Sequence, residues 1–159
     1  MNCDTDTFAR MYEMVYTDLY RLALCMMQNQ QEAEDAVSEA VVAAYGNIRK
    51  LRDPQAFKNW MFTILSNICR RKLKKAKKQM SYVTEEIYSQ SWLQEPDYGT
   101  ALDVRRAFFI LEKEEREIVG LSVFGGYTSK EIAHVLHMNP NTVRSKRRRA
   151  LKKMECLLK

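Results

Sequence analysis

Residues 127–154 read YTSKEIAHVLHMNPNTVRSKRRRALKKM, and this stretch decides the fold. Thr128 precedes Glu131 by three residues, the spacing at which a hydroxyl caps a helix while the glutamate reaches back to the cap amide. Ile132, Ala133 and Leu136 supply a short apolar stripe. His137, Met138 and Asn139 make a turn; His137 stands where a positive φ is expected, which His tolerates better than most residues. Asn139 is a natural N-cap, and Pro140 falls where a helix best accepts proline. Two capped helices joined by so short a turn form the device that lays a helix in a DNA groove.

The second of these helices carries Arg144, Lys146, Arg147, Arg148, Arg149, Lys152 and Lys153. At about 100° per residue, Val143, Arg147, Ala150 and Met154 share the inner side. Asn141, Arg144, Ser145, Arg148 and Lys152 fall opposite. Amide and guanidinium groups suit base edges, and hydroxyl and ammonium groups suit bases or phosphates. A basic run alone is usually a solvated face; the capped helix before it favours DNA. Arg147 breaks the pattern and must extend to water or pair with a carboxylate among Glu112 to Glu117.

Working outward, the chain of 159 residues has room for one domain or two small ones. It has no apolar run of membrane-spanning length and no secretory leader, so a cytoplasmic protein without direct membrane insertion is expected. Cys3, Cys25, Cys69 and Cys156 are scattered, so free thiols are expected, with Cys25 and Cys69 as small core residues. His134 and His137 lack thiol or carboxylate company, and no metal or cofactor is expected. The net charge of +6 is segregated. Residues 51–80 hold 9 basic side chains against 1 acidic, and residues 124–159 hold 9 against 2. Residues 1–50 hold 4 against 8, and residues 81–123 hold 4 against 9. Two cationic blocks, each beside an anionic one, imply two polyanion-binding surfaces and a partner of another kind. The acidic blocks are also expected to cover the basic ones in the free chain, weakening its binding to DNA.

No stretch reads as a strand of useful length, and the whole chain reads as all-α. Phe8, Met11, Tyr12, Val15, Leu19, Leu22, Ala23 and Met26 keep helical spacing over a first helix. Ala33, Val37, Ala40, Val41, Ala44 and Ile48 do so over a second, fraying at Gly46 and Asn47. Asp53-Pro54 opens a third, reaching about Lys78 and led by Phe57, Met61, Ile64 and Ile68. Residues 79–99 are polar to acidic with Pro96, and read as a linker on which Trp92 and Leu93 can still dock. Domains are thus expected at 1–78 and 100–159. Leu102, Phe108, Phe109 and Leu111 start the second, followed by a helix of Ile118, Val119, Leu121, Val123 and Phe124 that Gly125-Gly126 stops.

The third helix shows a polar stripe opposite its apolar side: Asn59, Thr63, Ser66, Asn67, Arg70 and Lys74, with Trp60 at the border. Arg70, Arg71, Lys72, Lys74 and Lys75 offer an electrostatic seat for phosphates. The uncharged part, with Trp60 and Phe62 near, suits unstacked bases, which need aromatic platforms and amide hydrogen bonds. Lys77 and Lys78 read as solvated charge. On the second helix Glu32, Asp35, Ser38, Glu39 and Val42 share the outward side, an apolar residue ringed by carboxylates. Such a patch fits a protein partner; a solvated acidic face is the plainer alternative.

At these residues the chain resembles a bacterial RNA polymerase sigma factor of the extracytoplasmic-function type, in the sigma-70 family. Residues 32–39, EAEDAVSE, look like that family's acidic second-region signature. Phe57 to Arg71, with Trp60, Ile64 and Asn67, looks like its promoter-melting helix. Thr128 to Ala133 and Asn141 to Ala150 look like its fourth-region helix-turn-helix. Ser38 stands where the family usually has Gln, Arg71 where Asp is common, Arg147 where an apolar residue is common, and His137 where Gly is frequent.

The resemblance implies two helical domains, region 2 and region 4, and an alternative sigma factor that directs promoter-specific initiation. Glu32, Asp35, Ser38, Glu39 and Val42 would dock on RNA polymerase core. Asn59, Trp60, Thr63, Ser66, Asn67, Arg70, Arg71 and Lys74 would take the minus-ten element, with a base flipped out of the stack. Asn141, Thr142, Arg144, Ser145, Arg148 and Lys152 would read the minus-thirty-five element of promoter DNA as duplex. An anti-sigma protein enters as a further partner. A linker of about 20 residues spans roughly 65 Å when extended but averages about 25 Å as a coil. Two turns of duplex need roughly 70 Å, so another surface must hold the linker open.

A stand-alone helix-turn-helix regulator is the alternative; it accounts for residues 127–154 but not for the basic third helix or the Asp35 patch. An enzyme is disfavoured, since no carboxylate cluster with metal spacing, phosphate loop or activated nucleophile is visible. Glu114, Glu115 and Glu117 read as solvated charge.

Overall fold

The computed structural model describes residues 3–79 and 106–158. Six α-helices are assigned here, and no strand occurs among the described residues. The expected linker, its Trp92 and Leu93, and Leu102 lie outside the described residues.

The first helix, α1 (Thr5–Met27), starts where the Asp4 carboxylate accepts from the Thr7 amide at 2.8 Å. It ends at Gln28, which takes the left-handed conformation with φ 55°. Asn29 then caps α2 (Gln30–Gly46) through the Glu32 amide at 2.9 Å. Two residues of connection force α1 and α2 into an antiparallel hairpin. A 3-10 turn at Ile48–Lys50 and a second at Pro54–Ala56 lead into α3 (Phe57–Gln79). Asp53 caps the second turn and Pro54 follows it, as the sequence predicts. The helix α3 packs on both α1 and α2, completing a three-helix unit.

In the second unit, residues 106–109 are helical. They are followed by α4 (Lys113–Val123), α5 (Ser129–Leu136) and α6 (Pro140–Leu158). The Glu112 side chain and Glu115 form a reciprocal box at the start of α4. Thr128 and Glu131 form the box anticipated for α5, at 3.1 and 3.0 Å. His137 closes α5 at φ 54°, and Asn139 accepts from the Asn141 amide at 2.8 Å to open α6. The turn chemistry of the quoted stretch is therefore as predicted.

The two units pack on each other. One continuous apolar core joins Leu19, Leu22 and Met26 of α1, Val37 of α2, and Met61, Phe62 and Leu65 of α3 to Ile118, Leu121, Tyr127, Ile132 and Val143 of the second unit. A smaller core holds Cys25, Phe108, Leu111, Val119, Ala150 and Met154. The helix α4 lies between these cores, which is why every residue from Glu117 to Leu121 is buried. It packs tightly on α1 at Gly120, where an added Cβ would lie 2.6 Å from the Leu22 side chain. Burial at about 25 cal/mol per Å² makes such a shared apolar seam the main cohesive force.

Candidate nucleic-acid and polymerase interfaces

The recognition helix α6 presents Asn141, Thr142, Arg144, Ser145, Arg148 and Lys152 to solvent. Val143, Ala150 and Met154 are buried on its other side. Arg144 donates to Asn141 at 2.7 Å, holding two of the expected base-reading side chains together. Arg147 takes the solvent-reaching alternative: it is half-buried and lines a shallow cavity with Ser122, Tyr127, Thr128, Ser129, Lys130 and Arg144. The carboxylates near it pair elsewhere, Glu114 with Lys146 and Glu115 with Lys153 at 3.1 Å. Those pairs correct the reading of Glu114, Glu115 and Glu117 as solvated charge, because Glu115 and Glu117 are both buried. Desolvation pushes the Glu115 carboxyl up, but the Glu112 amide and Lys153 outweigh it and hold it below the usual range.

On α2, Asp35, Ser38 and Val42 are exposed, and Val42 is 73% accessible. Glu32 and Glu39 are half-buried. Glu39 receives Arg71 and, at 3.6 Å, Lys72 from α3. The acidic patch and the basic end of α3 are therefore ion-paired neighbours. Tyr45, exposed one turn beyond Val42 on the same helix, extends the apolar part of this surface.

The stripe on α3 departs most from expectation. Asn67, Arg71 and Lys74 are exposed, but Ser66 is fully buried, and Thr63, Trp60 and Arg70 are half-buried. The cover is the second unit. Ser66 donates to the Glu117 carboxylate, and Arg70 Nε donates to the same oxygen at 2.7 Å. Tyr127 donates to the Asn59 carbonyl and shares a 2.8 Å hydrogen bond with the Thr63 hydroxyl. Asn59 Nδ2 donates to Glu131 Oε2 at 3.1 Å. Burial pushes the Glu117 carboxyl up, against Ser66 and Arg70, which pull it down. Burial likewise pushes the Tyr127 hydroxyl up to about 12. Ser66 as a solvent-facing contact is thus corrected: in this structure it faces protein. Short-range spacing does not mark Glu117, Tyr127 or Gly120 as seam residues, because their partners lie 47 or more positions away.

The cysteines are free, with Cys25 and Cys69 buried. No helix is long and apolar enough to cross a membrane among the described residues, and no group of metal-ligating side chains occurs among them.

Comparison with known proteins matches both halves of the chain. Residues 11–79 match the sigma-70 region 2 family, and residues 102–154 match sigma-70 region 4. The chain is 33% identical over 141 residues to RNA polymerase sigma factor SigV of Bacillus subtilis (strain 168), covering 89% of this chain and 84% of that protein. It is 27% identical over 155 residues to ECF RNA polymerase sigma factor SigM of Mycobacterium tuberculosis, covering 98% and 79%. Among solved structures it is similar to the sigma factor RpoE from Bartonella quintana, crystallised with the anti-sigma factor NepR. That likeness has a TM-score of 0.76 at 22% identity and covers 95% of this chain and 96% of the other.

Proposed function

The chain belongs to the extracytoplasmic-function type of bacterial sigma factors, the subunits that give RNA polymerase its choice of promoter, and from that membership we propose how its surfaces divide the work. The exposed patch of Asp35, Ser38 and Val42, bordered by Glu32 and Glu39, docks on polymerase core. An apolar centre ringed by carboxylates gives such a contact both affinity and register. The α6 face of Asn141, Arg144, Ser145, Arg148 and Lys152 reads the upstream promoter element as duplex, with Thr142 beside it. Guanidinium and amide groups make the bidentate base contacts that discriminate sequence.

The stripe of α3 takes the downstream element as a single strand. Asn59, Thr63 and Asn67 serve hydrogen bonds to an unstacked base, and Trp60 offers a platform. Arg70, Arg71 and Lys74 hold phosphates. This work takes place in the cytoplasm, where polymerase and promoter meet, and involves no chemical step by the sigma subunit itself. An anti-sigma protein is a natural further partner, as RpoE has in its own structure.

The observation that carries this reading is the presence of the two sigma regions in order along the chain. In vitro run-off transcription with core polymerase tests it. The chain should direct defined start sites, and Asp35→Arg should abolish them while circular dichroism shows an intact fold. Tight, specific duplex binding with no response to core polymerase would instead favour the stand-alone regulator.

A further inference from the structure

One cation stands on the inner side of α6. Val143, Ala150 and Met154 on that side are buried in the apolar cores. Arg147 among them is half-buried and lines the shallow cavity, of about 590 Å³, between α4, the start of α5 and α6. It does not share the side of α6 that carries Asn141, Ser145, Arg148 and Lys152, and among the described residues it has no ion-pair partner.

The cavity carries charge of one sign. Lys130, Arg144 and Arg147 line it with the hydroxyls of Ser122, Thr128 and Ser129, and no carboxylate does. The carboxylates of the neighbouring helices are engaged elsewhere: Glu114 with Lys146, Glu115 with Lys153, and Glu131 with the Thr128 amide and the Asn59 side chain. Cations that converge on a concave surface raise the local concentration of anions. A phosphate group suits this lining, since it takes a guanidinium as a fork and an ammonium as a point charge.

The cavity's place in the fold selects the source of the phosphate. Arg144 lines the cavity and also donates to Asn141 at 2.7 Å, so the rim is continuous with the duplex-reading face. The opposite wall is the start of α5, and the first helix of a helix-turn-helix crosses the DNA backbone. A duplex lying on α6 therefore carries a strand of phosphates past the cavity mouth.

We propose that Arg147 and Lys130 form a phosphate seat for the backbone of the upstream duplex. The inference rests on the assignment of the α6 face to duplex DNA. A backbone contact fixes register and carries no sequence information, so Arg147 is a positioning residue for Arg144 and Asn141. It stands where related chains commonly have an apolar residue, which makes the seat a feature of this chain. In the free protein the Arg147 charge faces Arg144 and Lys130 with no counter-charge in the lining, and a bound phosphate relieves that repulsion.

Three full-length variants test the seat. Arg147→Leu removes the charge and matches the apolar inner side, Arg147→Lys keeps the charge without the fork, and Lys130→Gln removes the second cation. Fluorescence anisotropy on labelled duplexes of several sequences, across a series of NaCl concentrations, reads affinity and salt dependence. Loss of one phosphate contact lowers the slope of log K against log salt by about 0.9 and weakens binding about eightfold at about 0.1 M salt. We expect that loss for Arg147→Leu and for Lys130→Gln, equal across sequences, and a wild-type slope for Arg147→Lys. The thermal midpoint of Arg147→Leu should equal or exceed that of the wild type, whereas a structural role for Arg147 would lower it.

A wild-type slope in Arg147→Leu overturns the seat and leaves the duplex reading of α6 standing. So does a loss confined to one base pair, which would make Arg147 a base reader. A wild type without salt-dependent duplex binding overturns the seat together with the reading beneath it. Calorimetry with sodium pyrophosphate separates the backbone from a soluble anion: micromolar binding by the wild type, with an unchanged duplex slope in Arg147→Leu, would assign the cavity to a small phosphate compound and overturn the proposal.

Discussion

Removal of the Tyr127 hydroxyl by Tyr127→Phe isolates the polar part of the contact between the two units. The ring stays, so packing against Phe62, whose centroid lies 6.3 Å away, is kept. What is lost is the donation to the Asn59 carbonyl and the hydrogen bond shared with Thr63. A buried intramolecular hydrogen bond contributes about 0.5–1.5 kcal/mol net. The Thr63 hydroxyl can recover part of its loss by turning to a carbonyl of its own helix. The expected loss is therefore about 1–2 kcal/mol, which is roughly a 5- to 30-fold change in an equilibrium constant.

The loss should fall on the contact between units and not on either unit alone. Urea denaturation of Tyr127→Phe, Thr63→Ala and the double variant forms a cycle that measures it, and a coupling of at least about 0.5 kcal/mol is expected. The same hydroxyl predicts an alkaline signature. Its pKa is raised in the folded state, so its contribution is fully present below the ordinary value of 10.0 and is lost as pH rises through about 12. Wild type should lose stability in that window faster than Tyr127→Phe. Zero coupling in the cycle, with identical alkaline profiles, would refute the reasoning.

Three further outcomes are expected. Arg144→Ala should cost about 1–3 kcal/mol in upstream duplex binding and relax specificity at one base pair; a uniform loss across all sequences, read by anisotropy on a panel of duplexes, would show that Arg144 only holds phosphate. His137→Gly should raise the thermal midpoint through a gain of about 0.5–1 kcal/mol, since glycine adopts the left-handed turn without a Cβ penalty; a lowered midpoint would mean that the imidazole makes a stabilising contact. Burial raises the Glu117 carboxyl pKa against the pull of Ser66 and Arg70 on α3, with Glu114 of α4 adding to the rise. Its contribution to the packed state is therefore fully present below the ordinary carboxylate range and is lost as pH rises through the raised value. A pH series of small-angle X-ray scattering curves should show the chain loosening as pH rises above the ordinary carboxylate range, and an equal response in Glu117→Gln would assign the effect to other groups.

Local chemistry was the legible part of this fold. The capping box at Thr128 and Glu131, the left-handed His137, the Asn139-Pro140 start and the Asp53-Pro54 turn depend on neighbours within a few residues, and each formed as read. The helical periods also placed Leu19, Leu22, Met61 and Val143 in the core. Ser66 and Glu117 were misjudged for one shared reason. A hydroxyl on a polar stripe and a glutamate in a charged run both average to solvated positions, and only their meeting across 51 residues buries them. The two apolar neighbours of α4 were only faintly legible in its periodicity. A partial clue was present: Ile118, Val119, Leu121 and Val123 are too closely spaced for a one-sided stripe, and Gly120 among them suits a close helix crossing. On α2 and α6 the outward side chains Asp35, Ser38, Val42, Asn141, Arg144, Ser145, Arg148 and Lys152 stay exposed among the described residues, so helical period alone sorted them.

The native thiols provide a clock for the contact between halves. The Cys25 sulfhydryl donates to the Arg116 carbonyl at 3.4 Å and sits beneath Gly120, so α4 is part of the roof above it. Cys156, near the end of α6, stands in water. A thiol reagent should therefore modify the outer sulfur at once and the inner one only at the pace of roof-lifting, giving a gauge of that motion without any engineered label.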